Sequence, residues 1–201
     1  MIKYPNGIVK NKNNANKTKL PNKSKANLGI SFENLINESN LYYLQNNIAC
    51  IYKKPTPIQI VKVEYPTRSK ARITEAYYKT PSTTDCNGIY KGKYVDFEAK
   101  SVKGTNFPFS NIYPHQIKHL ETIHNMGGIS FLLIEFSSKN EVYLLPTPYL
   151  LDIYKKSLIG ERKSIPYEYF KEYGILIKFT YNPIVDYIKA IDIYIENKKA
   201  A

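Results

Sequence analysis

Thr83-Thr-Asp85-Cys-Asn-Gly-Ile-Tyr-Lys-Gly92-Lys-Tyr-Val-Asp96-Phe-Glu98-Ala-Lys100 reads as a β-hairpin that brings an aspartate, a glutamate and a lysine to one place. Lys91-Gly92 is a two-residue loop with glycine second, a common hairpin connection. Counting outward from it sets Tyr90 against Lys93 and Asp85 against Glu98. Directly opposed side chains have Cβ atoms about 4.5–5.5 Å apart. Alternation puts Asp96, Glu98 and Lys100 on one face of the second strand and Val95, Phe97 and Ala99 on the other, core-facing side. Two carboxylates about 5 Å apart repel by roughly 3 kcal/mol at an effective dielectric near 20. A divalent cation between them removes that penalty, and oxygen ligands favour Mg²⁺ or Mn²⁺ over zinc. An ordinary solvated sheet face carrying a charged row is the competing reading of the second strand.

The remaining composition narrows the class. A chain of 201 residues with 43% hydrophobic content suits one globular domain, with or without an extension. No apolar run is long enough for a membrane-spanning helix, and the first residues, Met-Ile-Lys-Tyr-Pro-Asn-Gly, lack the apolar core of a secretory signal. Cys50 and Cys86 form neither a Cys-x-x-Cys pair nor a metal-spaced cluster, and free thiols suit a reducing cytoplasm. The net charge of +12 favours a polyanionic partner, nucleic acid first and an anionic membrane surface second. Residues 1–30 hold seven lysines and no Asp or Glu, and they are rich in Asn. This is the composition of an arm that stays disordered until a partner orders it. Its lysines Lys10, Lys12, Lys17, Lys19, Lys23 and Lys25 are candidate DNA contacts; a solubilising tail is the alternative.

Beyond the arm, residues 31–201 read as one domain. Ser31 is a candidate N-cap for a helix to about Asn47, with Phe32, Leu35, Ile36, Tyr42 and Tyr43 at helical spacing. Ile48–Tyr52 reads as a short strand. Residues 54–82 are an insert opened by Lys54-Pro55-Thr56-Pro57; Ile58–Val63 alternates like an exposed strand, while Ile73–Lys79 fits no single state. Arg68, Lys70 and Arg72 interleave there with tyrosines, as phosphate contact and base stacking require. A plain projecting hairpin or a dimer contact fits equally well. After the hairpin, Pro114 opens a helix that Gly127-Gly128 ends. Ile129–Phe136 reads as a strand buried on both faces, and Glu141–Leu145 as its partner. A helix over Pro148–Ser157, a strand over Ile175–Phe179 and a helix from Pro183 to about Asn197 complete an α/β chain with a mixed central sheet flanked by helices.

An aspartate, a hairpin and then Glu-x-Lys within this order of elements resembles the PD-(D/E)xK nucleases, whose fold is restriction-endonuclease-like. A closer resemblance is carried by Tyr4-Pro-Asn-Gly7, Lys53-Lys-Pro-Thr-Pro-Ile-Gln59, Tyr65-Pro with Arg68-Ser69, Ser82-Thr-Thr-Asp85, the run Tyr94–Lys100, and His115-Gln116. Together these are similar to the bacterial RecU family of Holliday-junction resolvases. The resemblance implies a Mg²⁺-dependent homodimeric endonuclease, with Mn²⁺ as a substitute, that cuts four-way DNA junctions during recombination and repair. It implies metal positions at Thr83, Asp85, Glu98 and Gln116, with Lys100 as transition-state stabiliser. It also implies that residues 54–82 form a stalk entering the junction centre, and it suggests the recombinase RecA as a partner. One departure stands out: Cys86 occupies a position where the family pattern has an aromatic residue.

The residues themselves support these roles to different degrees. Asp85 and Glu98 are the metal-binding pair, and Lys100 beside them offsets charge developing on a phosphate. A plain salt bridge is the weaker reading of Lys100, whereas Gln116, read without the family, is equally an exposed helix residue. Glu33 either reaches the site or complements a helix N-terminus. His115 and His119 are spaced like zinc ligands but have no third ligand, and so read as surface residues. Asp96 falls opposite Asn87 and reads as a support residue. Two alternatives stand beside junction resolution: a structure-selective DNA-binding protein without cleavage, and a nuclease for other branched DNA.

Overall fold

The computed structural model describes residues 31–67, 69–79 and 83–200. The basic arm and Arg68 lie outside them. Helix α1 (Phe32–Gln45) starts at Ser31, whose Oγ accepts from the Asn34 amide at 3.3 Å, the cap its sequence predicts. Strand β1 (Cys50–Lys53) follows. The insert then leaves the body as β2 (Ile58–Glu64) and β3 (Arg72–Tyr78), which pair only with each other, with register shifts on either side of Lys62. The stretch with no single sequence signature is thus a strand, set by its partner across the hairpin rather than by its own pattern. Apart from Val63, every side chain of these two strands is exposed, including Ile58, Ile60, Tyr77 and Tyr78.

Strands β4 (Cys86–Tyr90) and β5 (Lys93–Val102) meet at Lys91-Gly92, where φ is 47° and 73°. Both values are left-handed, as a primed two-residue turn demands, and glycine takes the second position without strain. The register is the one the turn predicts, with Tyr90 opposite Lys93 and Cys86 opposite Phe97. Helix α2 (Pro114–Asn125), β7 (Ile129–Phe136) and β8 (Glu141–Pro146) follow, with a short β6 (Asn106–Pro108) preceding α2. Next come α3 (Thr147–Leu158), β9 (Ser164–Pro166), α4 (Tyr167–Tyr173), β10 (Ile175–Ile177) and α5 (Tyr187–Ala200).

The main sheet runs β1-β4-β5-β7-β8-β10; the β5–β7 pair is parallel and the others antiparallel. This is the mixed sheet flanked by helices that the order of elements implies. All eight residues of β7 are buried, because both faces of the sheet are covered. One face packs Phe97, Phe131, Leu133 and Leu144 with α1 and α5, where Tyr43 and Tyr187 meet edge to face. Cys86 is buried there, so its departure from the family pattern falls in the α1–α5 core. The other face packs Leu132, Ile134 and Leu145 with Ile117, Leu120, Leu150 and Phe170.

Several expectations need correction. The last strand stops at Ile177 and the last helix starts at Tyr187 rather than Pro183. Residues between them form a tight return in which Phe179 bridges Val185 and the Val185 amide donates to the buried Ser39 hydroxyl at 3.0 Å. Strands β6 and β9 and helix α4 have no counterpart among the elements expected from sequence, being too short to show a period. No helix among the described residues is long and apolar enough to cross a membrane.

Candidate active site

The observed pairs run from Tyr90–Lys93 to Cys86–Phe97, and continuing that register by one rung sets Asp85 across from Glu98. Asp85 stands just before β4, and its Oδ2 accepts from the Ala99 backbone amide at 2.9 Å, which ties the carboxylate to the neighbouring strand. Glu98 points to the α2 face and is fully buried. That settles one alternative: the acidic row is roofed by a helix and is not a solvated sheet face. Its Oε1 accepts from Lys100 Nζ at 2.6 Å and from Gln116 Nε2 at 2.8 Å. Its Oε2 is buried and has no hydrogen-bond partner among the described residues.

The electrostatics follow from that geometry. Burial, and then the nearby negative charge of Asp85, push the Glu98 carboxyl up to about 7, against the opposing pull of Lys100 and Gln116. Burial acts to lower the Lys100 ammonium, but its bond to Glu98 and the field of both acids leave it above the ordinary lysine value. An acid whose pKa lies at about 7, with one oxygen that has no donor among the described residues, loses its proton to solvent when a cation binds there. The group fits a hard divalent ion: Asp85 and Glu98 supply carboxylate oxygens, and Mg²⁺ keeps several waters of its own. Among the described residues no three of His, Cys, Asp and Glu come together as a cage. Further protein ligands would have to be neutral oxygens.

Thr83 and Gln116 are the neutral candidates, and each is already engaged. Thr83 Oγ1 accepts from Lys54 Nζ at 3.0 Å. Gln116 uses Oε1 to cap its own helix, accepting from the Tyr113 amide at 3.0 Å, and turns its Nε2 to Glu98. Exchanging its two amide atoms would present oxygen to an ion at Glu98, at the expense of the cap.

A cleft of about 290 Å³ opens beside the acids, lined by Asp85, Gln116, Thr84, Glu33 and the root of the stalk. Glu33 is exposed at its rim and paired with Lys53, so it complements a neighbouring lysine as well as the helix start. Two larger concavities, about 490 and 380 Å³, lie around α4 and contain neither acid. Size does not pick the site; chemistry does.

Three residues have roles that their sequence context does not reveal. Lys54 donates to Asp96 Oδ2 at 2.8 Å and to Thr84 Oγ1 at 2.6 Å, and Thr84 in turn reaches Asp96 Oδ1. His119 is no plain surface residue: its Nε2 lies 3.1 Å from the same Asp96. Asp96 does fall opposite Asn87, as counted, but is fully buried. His115 remains exposed, its ring stacked on Tyr113. Lys70 and Arg72 are exposed on the stalk.

Comparison with known proteins gives a consistent picture. The family described as Recombination protein U matches residues 27–193. A Holliday junction resolvase RecU of Bacillus cytotoxicus is 49% identical over 195 residues, covering 95% of this chain and 96% of that protein. One from Bacillus cereus strain B4264 is 47% identical over 193 residues, with the same coverage. Among solved structures, the Holliday junction resolvase Hjc of Archaeoglobus fulgidus overlays with a TM-score of 0.38 at 11% identity, covering 67% of this chain and 88% of that one. That likeness is too slight to carry weight.

Proposed function

Because the chain belongs to the Recombination protein U family, we propose that it is a crossover junction endodeoxyribonuclease that resolves Holliday junctions in recombination and repair. The observation that carries this reading is the buried Glu98 carboxylate, with one oxygen that has no donor among the described residues, in register with Asp85 and bonded to Lys100. Asp85 and Glu98 would hold Mg²⁺, with Thr83 and Gln116 as the neutral oxygens beside them. When bound, the ion supplies Lewis acidity to the scissile phosphate and lowers the pKa of the water that attacks it.

The chain's own residues supply the rest. The Ala99 amide holds the Asp85 carboxylate and, in the metal-free chain, the Gln116 amide nitrogen holds Glu98. Lys100, partly buried on the same face, places a fixed positive charge where negative charge builds on the phosphoryl oxygens. The stalk projects clear of the sheet with exposed tyrosines, suited to an open junction centre, and Lys70, Arg72, Arg68 and the arm lysines neutralise the flanking phosphates. A two-fold homodimer would present two such sites to opposed strands of a junction with matching symmetry. The enzyme works on cytoplasmic DNA, and an association with RecA follows only from the resemblance.

Asp85→Ala and Glu98→Ala, assayed on a four-way junction with Mg²⁺, test the reading. Cleavage is expected to vanish while mobility-shift binding persists. Nicking at the unaltered rate with unchanged binding would refute the assignment of the site. Binding without products from the unaltered protein, in Mg²⁺ or Mn²⁺, would leave only a DNA-binding module. A panel of junction, fork, flap and duplex separates junction resolution from cleavage of other branched DNA.

A further inference from the structure

Asp96 lies on β5 two residues before Glu98 and on the same face, and four side chains, three of them from other elements, converge on its carboxylate. Lys54 Nζ (2.8 Å), Tyr94 OH (3.0 Å) and His119 Nε2 (3.1 Å) share Oδ2, and the Thr84 hydroxyl takes Oδ1. Asp96 is fully buried, and the Lys54 side chain is only 14% exposed. An ion pair this enclosed persists only when its members stay together, because removing either partner strands a charge.

The partners come from both legs of the stalk, from β5 and from α2. Lys54 stands on the leg that leads into the stalk, and Thr83 and Thr84 on the leg that returns from it. Lys54 Nζ bonds both threonine hydroxyls, and its backbone amide donates to the Asp85 carbonyl at 2.7 Å. The legs are also joined by the Lys79 amide donating to the Pro57 carbonyl at 3.0 Å. On the far side, His119 lies one helical turn beyond Gln116, whose amide holds Glu98. The stalk strands contribute nothing to either core, so fixing their root to the acids is not needed to bury apolar surface.

We infer that Asp96 is a positioning residue that couples the seating of the stalk on branched DNA to the alignment of Asp85 and Glu98. The inference rests on the nuclease reading above. A load on the stalk reaches Asp96 through Lys54 and Thr84. From there it reaches Asp85, adjacent to Thr84, and Glu98, through β5 and through α2. Junction selectivity then arises partly after binding: a duplex that leaves the stalk unloaded leaves the acids unaligned.

Asp96→Asn and Lys54→Met test this in the full chain, alone and combined. Four quantities are read: junction Kd in Ca²⁺, Mn²⁺ binding to the free protein by electron paramagnetic resonance, single-turnover cleavage at saturating junction with Mg²⁺, and hydrogen exchange of residues 94–100 and 114–119 with and without junction. Junction and Mn²⁺ affinities are expected to stay within about three-fold while cleavage falls about 10- to 100-fold, the scale set by small misplacements of reacting groups. The double variant should be no worse than either single one. Protection that the junction induces in the two segments should be lost in the variants. Cleavage within about three-fold of the unaltered rate in both folded variants overturns the inference. So does a loss of Mn²⁺ binding that matches the loss of rate, since the network would then only scaffold the metal. If Asp96→Asn fails to fold, Lys54→Met decides. An unaltered protein that cuts no junction refutes the nuclease reading, and the exchange data then decide the coupling by themselves.

Discussion

Replacing Glu98 by Gln should stabilise the metal-free protein above neutral pH while abolishing its chemistry. Glu98 is fully buried, and its carboxyl is pushed from the ordinary 4.5 up to about 7, chiefly by burial. The unfolded chain therefore gives up this proton before the folded one does. The stability Glu98 contributes is fully present below about pH 4.5 and is lost as pH rises through about 7. A gap of about 2.5 pH units, at 1.36 kcal/mol each, gives about 3 kcal/mol. A glutamine of the same shape never ionises and so never incurs that loss. Measured by urea unfolding in chelator, the advantage of the variant should be flat below about pH 4.5, grow towards pH 7, and level near 3 kcal/mol. For a chain of this length that corresponds to roughly 6–12 °C in Tm. Adding Mg²⁺ at pH 8 should then stabilise the unaltered protein and leave the variant unmoved. A Glu98→Gln protein no more stable than its parent at pH 8, or an offset that does not change with pH, would refute the reasoning.

Three further outcomes are expected. Lys100→Met should lower single-turnover cleavage by about 100-fold or more, with junction Kd in Ca²⁺ changed by less than about three-fold, because the ammonium acts on charge that appears only during reaction. Gly88→Ala should destabilise the fold by roughly 3 kcal/mol in urea titration, since the new Cβ would lie 2.0 Å from the Cys50 carbonyl oxygen and 2.5 Å from the Ile51 Cα on the neighbouring strand. Removing residues 1–30, with their seven lysines, should flatten the plot of log affinity for the junction against log salt by up to about 6. An unchanged slope would mean that the arm does not touch phosphates.

The acid pair was legible because one turn determines it. A two-residue loop admits one register, and alternation then assigns every face from Asp85 to Lys100. What alternation could not give was depth. Whether the Glu98 face meets water or a helix depends on α2 folding back over β5, a contact for which no local pattern speaks. Lys54 is hidden for a similar reason: in Lys-Lys-Pro-Thr-Pro it looks like a charge on a breaker, and its Asp96 partner stands 42 residues away. His119 matches His115 in helical spacing, but its partner is Asp96 on a strand beneath it. Ile73–Lys79 carries no clear period because a ribbon with both faces in solvent has no reason to alternate.

The spacing of contacts along the chain also orders events in time. Asp85, Glu98 and Gln116 lie within one short stretch joined by a two-residue turn and a single crossover, whereas Tyr43 bonds Val185 across 142 positions. Hairpins close in microseconds, and distant segments must wait for loop closure. As the polypeptide leaves the ribosome, the residues that do the chemistry can gather while the C-terminal helix is still unmade. Misfolding is therefore expected to strike first where α1 meets the segment around Val185, leaving a nascent catalytic hairpin intact but unsupported.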